Sequence, residues 1–144
     1  MKFAGPLASC LIMTCLLLGA VPALAEEAAP KVVVTPVMKS AVTATGQPIQ
    51  LPQTDAEVEV STYDIPVGAK LPVHKHPYPR YAYVLSGKLE VTYLDAGTTT
   101  VYEAGGFIIE AVDQWHKASN IGTEPVKLLV IDMIEAGHVN VVKQ

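Results

Sequence analysis

His74-Lys75-His76-Pro77-Tyr78-Pro79-Arg80-Tyr81-Ala82-Tyr83-Val84-Leu85-Ser86-Gly87 is the stretch on which the fold turns. In an extended strand residues i and i+2 point to the same face, so His74 and His76 can present both imidazoles to one ion. Pro77 restricts His76 to the extended region and fixes part of that geometry in advance. Tyr81 to Leu85 then reads as a strand, and Ser86-Gly87 is a hairpin-type link into a second one, Lys88 to Leu94. A third imidazole stands in His116-Lys117-Ala118-Ser119-Asn120. Delivered from a distant strand, it would complete a facial set of nitrogen ligands.

Outward from this stretch the chain is a series of short strands, each ended by a turn signal. Glu57 to Tyr63 alternates polar and apolar residues and stops near Pro66-Val67-Gly68. Asp95-Ala96-Gly97 turns into the β-branched Thr98 to Glu103, and Ala104-Gly105-Gly106 turns into Phe107 to Glu110. His116 to Ser119 is short, Val126 to Ile134 is the longest apolar strand, and Val139 to Val142 adds one more. No window carries a 3.6-residue period. The fold class is therefore all-β, a sandwich or barrel, and a jelly roll has an interior in which inward histidines can gather.

The first 25 residues read as a leader. Lys2 is the basic end, Leu11 to Val21 the short apolar run, and Ala23-Leu24-Ala25 a signal-peptidase site with cleavage after Ala25. The run is too short to span a membrane comfortably. Leu7-Ala8-Ser9-Cys10 has the look of a lipobox but lies on the wrong side of the apolar run. The expectation is a secreted or periplasmic protein of 119 residues, one domain, with no membrane attachment after cleavage. Cys10 and Cys15 leave with the leader, so neither a disulfide nor thiolate chemistry is expected. Losing Lys2 takes the formal charge from −4 to −5, and Arg80 is the only arginine, so nucleic acid is excluded as a partner. Residues 26–56, broken by Pro30, Pro36, Pro48 and Pro52, form an N-terminal arm in which Lys31 to Pro36 has room for one short edge strand. Residues 57–135 form the barrel and 136–144 a tail or final strand.

Taken together, the glycines and histidines resemble the two motifs of the cupins. In the first motif Gly68, His74, His76 and Gly87 stand in register, and Arg80 occupies the position of the usual Glu. In the second motif Gly105, His116 and Asn120 match, while Ala111 replaces the Pro and Asp113 the Gly. The resemblance covers roughly residues 57–135. It implies a cupin-type double-stranded β-helix, a jelly-roll barrel in one domain. It also implies a divalent transition metal (Fe, Mn, Zn, Ni or Cu) on His74, His76 and His116, and assembly as a homodimer. Asn120 reads as structural, against the plainer alternative that it simply bonds a buried His116.

Arg80 is the departure with chemical weight, since a permanent cation cannot bind a metal. At ~5 Å and an effective dielectric of about 20, its repulsion of a divalent ion would be roughly 6–7 kcal/mol. Three arrangements are open: pairing with an inward carboxylate such as Glu90, Glu103 or Glu110; facing an anionic ligand that also touches the metal; or a site that holds no metal. Tyr78 and Trp115 stand beside the expected ligands and are candidates for a pocket mouth, and Gln114 shares the strand parity of His116. Tyr83 reads as packing, and His138 as an exposed tail residue.

No Gly-x-Ser-x-Gly, no phosphate loop and no mature cysteine exists, which excludes serine hydrolase, phosphate-loop and zinc-finger chemistry. Two functions fit. One is a secreted cupin that binds a metal and a small anionic ligand through Arg80, Tyr78, Gln114 and Trp115. The alternative is catalytic, a dioxygenase- or isomerase-like enzyme on a small organic acid, with Glu110 the only nearby carboxylate to nominate as acid or base. A metal-free small-molecule-binding cupin is the third possibility.

Overall fold

The computed structural model describes Met1 and residues 29–144. The expected leader, apart from Met1, and both cysteines lie outside the described residues. Residues 34–144 form one compact unit. Nine strands run in chain order: β1 (Ala56–Ile65), β2 (Lys70–Lys75), β3 (Arg80–Ser86), β4 (Lys88–Tyr93), β5 (Thr98–Glu103), β6 (Phe107–Ile109), β7 (His116–Asn120), β8 (Val126–Glu135) and β9 (Val142–Lys143). They build two antiparallel sheets, one ordered β1-β8-β3-β6 and the other β5-β4-β7-β2-β9. The fold is all-β and of jelly-roll type. No helix among the described residues is long and apolar enough to cross a membrane.

Period-two alternation turns this sequence into a core. On β8, Val126, Leu128, Val130, Asp132 and Ile134 are buried and the residues between them are not. On β3 Arg80, Ala82 and Val84 point inward; on β4 Leu89, Val91 and Tyr93 do so. The inner faces of the two sheets meet in a cluster that includes Ala82, Val84, Leu89, Val91, Ile108 and Val130. Burying a side chain of this size contributes roughly 1.5–3 kcal/mol.

Left-handed backbone shapes several of the turns, two of them within the motifs. The link after β3 is made by Gly87, whose φ is +81° and where a Cβ would sit 2.8 Å from the Pro125 carbonyl oxygen and the Val126 Cα. Asp113, where the second motif has Gly, still adopts a left-handed φ of 55°. Asp tolerates that region better than most residues, and here its carboxylate is held by Lys75 Nζ at 2.6 Å.

The arm differs from expectation. No strand forms over residues 31–36, and Val32, Val33 and Val34 are exposed. A strand needs an edge to satisfy its backbone groups, and no pairing reaches this segment among the described residues. Further on, Val42 and Pro48 bridge a short loop, and the Gln47 side chain substitutes for a strand partner: its Nε2 donates to Val112 O at 2.9 Å and its Oε1 accepts from Val112 N at 3.0 Å. The final strand is shorter than expected, only Val142–Lys143. β2 was not foreseen before His74, because Pro72 interrupts its pattern. Its pairing with β7 shifts between Leu71 and His74, a bulge that lets both of these residues face inward.

Candidate metal centre

His74 ends the inward face of β2, His76 lies one residue beyond that strand, and His116 opens β7 directly opposite His74. The three rings pack with centroids 4.4 to 4.9 Å apart. Each offers a nitrogen within 4.8 Å of the others, and all three residues are buried. His76 is held by its parallel bridge to Val112 and by Asp113 N, which donates to His76 O at 2.7 Å.

The ring protons have defined places. Nδ1–H of His74 donates to Pro72 O at 2.8 Å, that of His76 to Asn140 O at 2.6 Å, and that of His116 to Gln114 O at 2.9 Å. A carbonyl can only accept, so in each neutral ring Nε2 keeps its lone pair. This is the arrangement of metal-ligating histidines, whose second nitrogen donates to a fixed acceptor. His116 Nε2 is buried without any hydrogen-bond partner. An orphaned buried acceptor among two like neighbours fits a cation and fits little else. Burial lowers the pKa of all three rings, for His76 down to about 2, with the Arg80 charge adding to the effect. The site is therefore neutral and unprotonated near pH 7, as ligation requires.

Glu110 supplies a carboxylate beside this set. Its Oε2 lies 3.9 Å from His116 Nε2 and accepts from Tyr93 Oη at 3.4 Å. Burial raises its pKa to about 7, against the opposing charge of Arg80. The β3–β6 register pairs Tyr81 with Ile109, and Glu110 N donates to Arg80 O at 2.9 Å. Glu110 thus stands directly across the strand pair from Arg80, the position that holds Glu in the motif.

Arg80 is compensated by a carboxylate that sequence reasoning missed. Its Nε–H donates to Asp132 Oδ1 at 2.7 Å and an Nη2–H to Asp132 Oδ2 at 2.8 Å. The two face each other in the β3–β8 register, with Arg80 also over the Tyr63 ring at 5.6 Å. Glu90, Glu103 and Glu110 do not form this pair; Glu103 instead meets Lys88 at the surface. Asp132 was legible only as a lone carboxylate at an inward position of an otherwise apolar strand.

The remaining candidates disperse. Tyr78 N donates to Asn140 Oδ1 and its hydroxyl reaches Glu135, in a separate pocket lined with Gln47 and Pro48. Trp115, one residue before His116, alternates outward, where Lys75 Nζ sits 5.1 Å from its ring and Asp95 Oδ2 accepts from its backbone N–H. Gln114 contributes its backbone carbonyl to His116 rather than its amide. His138 is exposed against Tyr78. Asn120 is structural, donating to Ile65 O and Glu124 O, and makes no bond to His116. Asn140 was missed, since nothing in the tail sequence marks it.

The interior around the histidines has a cavity of about 30 Å³, and beside it lies a pocket of about 190 Å³ lined by Tyr63, Leu71, Pro72, His74, Arg80 and Val141. The first accommodates an ion or a single water, and the second a small molecule touching His74.

The cupin domain family profile matches residues 61–132, half of the chain. Among solved structures, a Bacillus halodurans protein is 22% identical over 62% of this chain and 70% of its own, with a TM-score of 0.52. The DMSP lyase DddQ from Ruegeria pomeroyi is 19% identical over 63% of this chain and 44% of its own, with a TM-score of 0.53. A Schizosaccharomyces pombe cupin domain is 25% identical over 60% of this chain, with a TM-score of 0.49. This chain spans 61% of that domain and less than half of the lyase. No curated protein sequence matches it. At such identities the two structures with TM-scores above 0.5 speak for the fold alone. With the family profile, the two sheets and both motifs in agreement, the chain belongs to the cupin family.

Proposed function

We propose that this protein binds a divalent transition metal through His74, His76 and His116 and takes up a small anionic ligand at the metal's open positions. The observation that carries the reading is the fixed tautomer of the three rings: every Nδ1–H is committed to a backbone carbonyl, which leaves three Nε2 lone pairs in one buried cluster. Three nitrogen donors with a carboxylate nearby suit Fe, Mn, Zn, Ni or Cu rather than Ca or Mg. When bound, such an ion supplies a Lewis acid and coordination positions for ligand or water.

The anionic preference follows from charge. Arg80 is already neutralised by Asp132. A divalent ion beside an ionised Glu110 leaves one positive charge in a dry interior, which an anion answers. The attraction therefore comes from the metal, not from Arg80. The pocket of about 190 Å³ limits that ligand to a small organic acid, with its apolar part against Leu71 and Val141. A catalytic reading has one observation behind it: Glu110, with a pKa near 7, is matched to proton transfer at neutral pH.

Metal content of protein purified without chelator is the first test. Thermal unfolding is the second: an ion at 100 times its dissociation constant stabilises by about 2.7 kcal/mol in the parent and not in His116→Ala. No shift in the parent, or an equal shift in both, overturns the metal reading and leaves a metal-free binding cupin.

Assembly as a homodimer is part of the same proposal. The outer face of the β1-β8-β3-β6 sheet carries Val58, Val60, Ile131, Met133, Tyr81 and Phe107 in one register-matched array. Val58 and Val60 are more than half exposed. A second copy with the same face would cover them. Sedimentation of the parent and of Val60→Glu tests it, a monomeric parent at micromolar concentration counting against the dimer. Leu11 to Val21 and Ala23-Leu24-Ala25 support export to the periplasm or exterior with cleavage after Ala25; N-terminal sequencing of the exported protein, with a first residue other than Glu26, would refute that.

A further inference from the structure

Two of the three histidines are oriented by their own local chain: His74 by the carbonyl of Pro72 and His116 by that of Gln114, each two residues back. His76 is different. Its acceptor is the carbonyl of Asn140, 64 residues away in the C-terminal segment, at 2.6 Å. That carbonyl is placed by the Asn140 side chain, which is buried and fixed at both ends. Nδ2 donates to Asp132 Oδ1 at 2.6 Å, and Oδ1 accepts from Tyr78 N at 2.8 Å. Beyond it, β9 pairs with β2 at His74 and Lys75, and Gln144 N donates to Val73 O.

We infer that Asn140 is a positioning residue for the histidine cluster: the C-terminal segment is a strap whose carbonyl holds His76 in the Nδ1–H tautomer, with Nε2 free and facing His74 and His116. Without an acceptor at Nδ1 the ring can carry its proton on Nε2, and that proton occupies the lone pair a metal would use. The Asn140 amide suits the place because the two bonds need opposite polarities. It donates to the carboxylate already paired with Arg80 and accepts from a backbone N–H. An Asp at the same position would set two carboxylates against each other, and an Ala would leave the Tyr78 N–H unmatched and Asp132 Oδ1 with only its Arg80 bond. The consequence for metal affinity rests on the metal reading; the consequence for the tautomer does not.

Imidazole nitrogen NMR on the full metal-free chain reads the tautomer, and calorimetric titration with Zn²⁺ alone reads affinity. The parent is expected to show His76 as Nδ1–H. Asn140→Ala should mix its tautomers and weaken Zn²⁺ binding at least tenfold, within the 10–100-fold range for such outer contacts. Asn140→Asp keeps an acceptor for the Tyr78 N–H but sets a second carboxylate against Asp132, and should disturb the tautomer and the affinity in the same direction. Ile134→Val, a core change of comparable instability, should leave the His76 signal alone. An unchanged Nδ1–H signal and Zn²⁺ affinity within twofold in Asn140→Ala would overturn the inference. Should Asn140→Ala fail to fold, Asn140→Asp decides by the same signals. A parent that binds no Zn²⁺ would tell against the metal reading, and the tautomer signals alone would then judge the strap.

Discussion

Asp132→Asn isolates the charge of the buried pair while keeping its shape. In the parent Arg80 and Asp132 are 7% and 2% exposed and joined by two bonds of 2.7 and 2.8 Å. At ~4 Å and an effective dielectric near 20, their attraction is about 4 kcal/mol. Removing one member of such a pair strands the other charge without water and typically costs about 3–5 kcal/mol. Against a total stability of about 5–15 kcal/mol, that is a large share. For a domain of this size it corresponds to a fall in Tm of roughly 10–25 °C. The uncompensated guanidinium would also oppose a divalent ion at the histidines, so metal stabilisation should shrink together with Tm. Urea unfolding followed by circular dichroism, with and without metal, measures both. The double variant Arg80→Leu with Asp132→Leu removes the two charges together and should be milder than Asp132→Asn, since apolar replacement of a whole buried pair is often neutral or stabilising. An Asp132→Asn protein within about 0.5 kcal/mol of the parent, near the ordinary scatter of surface substitutions, would refute the compensation argument.

Acid should destabilise the metal-free protein. The three histidines have folded pKa values below the unfolded 6.5, so their contribution is intact above that pH and is lost as pH falls through it. Glu110 works the other way, because its folded value of about 7 lies above the unfolded one and it gains a proton on folding in this range. Between about pH 6.5 and 4.5 the unfolded chain then holds at most two more protons, a loss of up to about 2.7 kcal/mol per pH unit. Urea midpoints that rise on acidification would contradict this. Gly87→Ala should cost at least 1–2 kcal/mol from its left-handed φ, and more because the new Cβ meets backbone at 2.8 Å; a stability equal to the parent's would mean the β3–β4 link can adopt another turn. Arg80→Glu should not rebuild the motif's metal set, because it sets a carboxylate against Asp132. Lower stability and no tighter metal binding are expected, and tighter binding would show that Asp132 can leave the interior.

What the sequence made legible was the part governed by periodicity and turn chemistry. Alternation along Val126 to Ile134 and Tyr81 to Leu85 reports which face is buried, and Gly68, Gly87 and Gly105 occupy left-handed positions that only a turn explains. The histidine cluster was legible because two of its members share one strand direction. The polar interior was not, since pairing across strands depends on register, and a register error of one residue reverses every assignment. Arg80 illustrates the point. Its neighbours in sequence are Pro79 and Tyr81, but its neighbours in space are Asp132 on one side and Glu110 on the other. Read along the chain, the motif loses its carboxylate and gains a cation. Read across the sheet, the cation is cancelled from β8 and a carboxylate stands just past the adjoining strand, 3.9 Å from His116. Asn140 was beyond reach for the same reason, its three contacts all lying across the fold in residues that precede it. A substitution at position 80 therefore cannot be judged alone. Its electrostatic meaning is carried by positions 110, 132 and 140, and any change to the metal chemistry of this barrel has to alter them as a group.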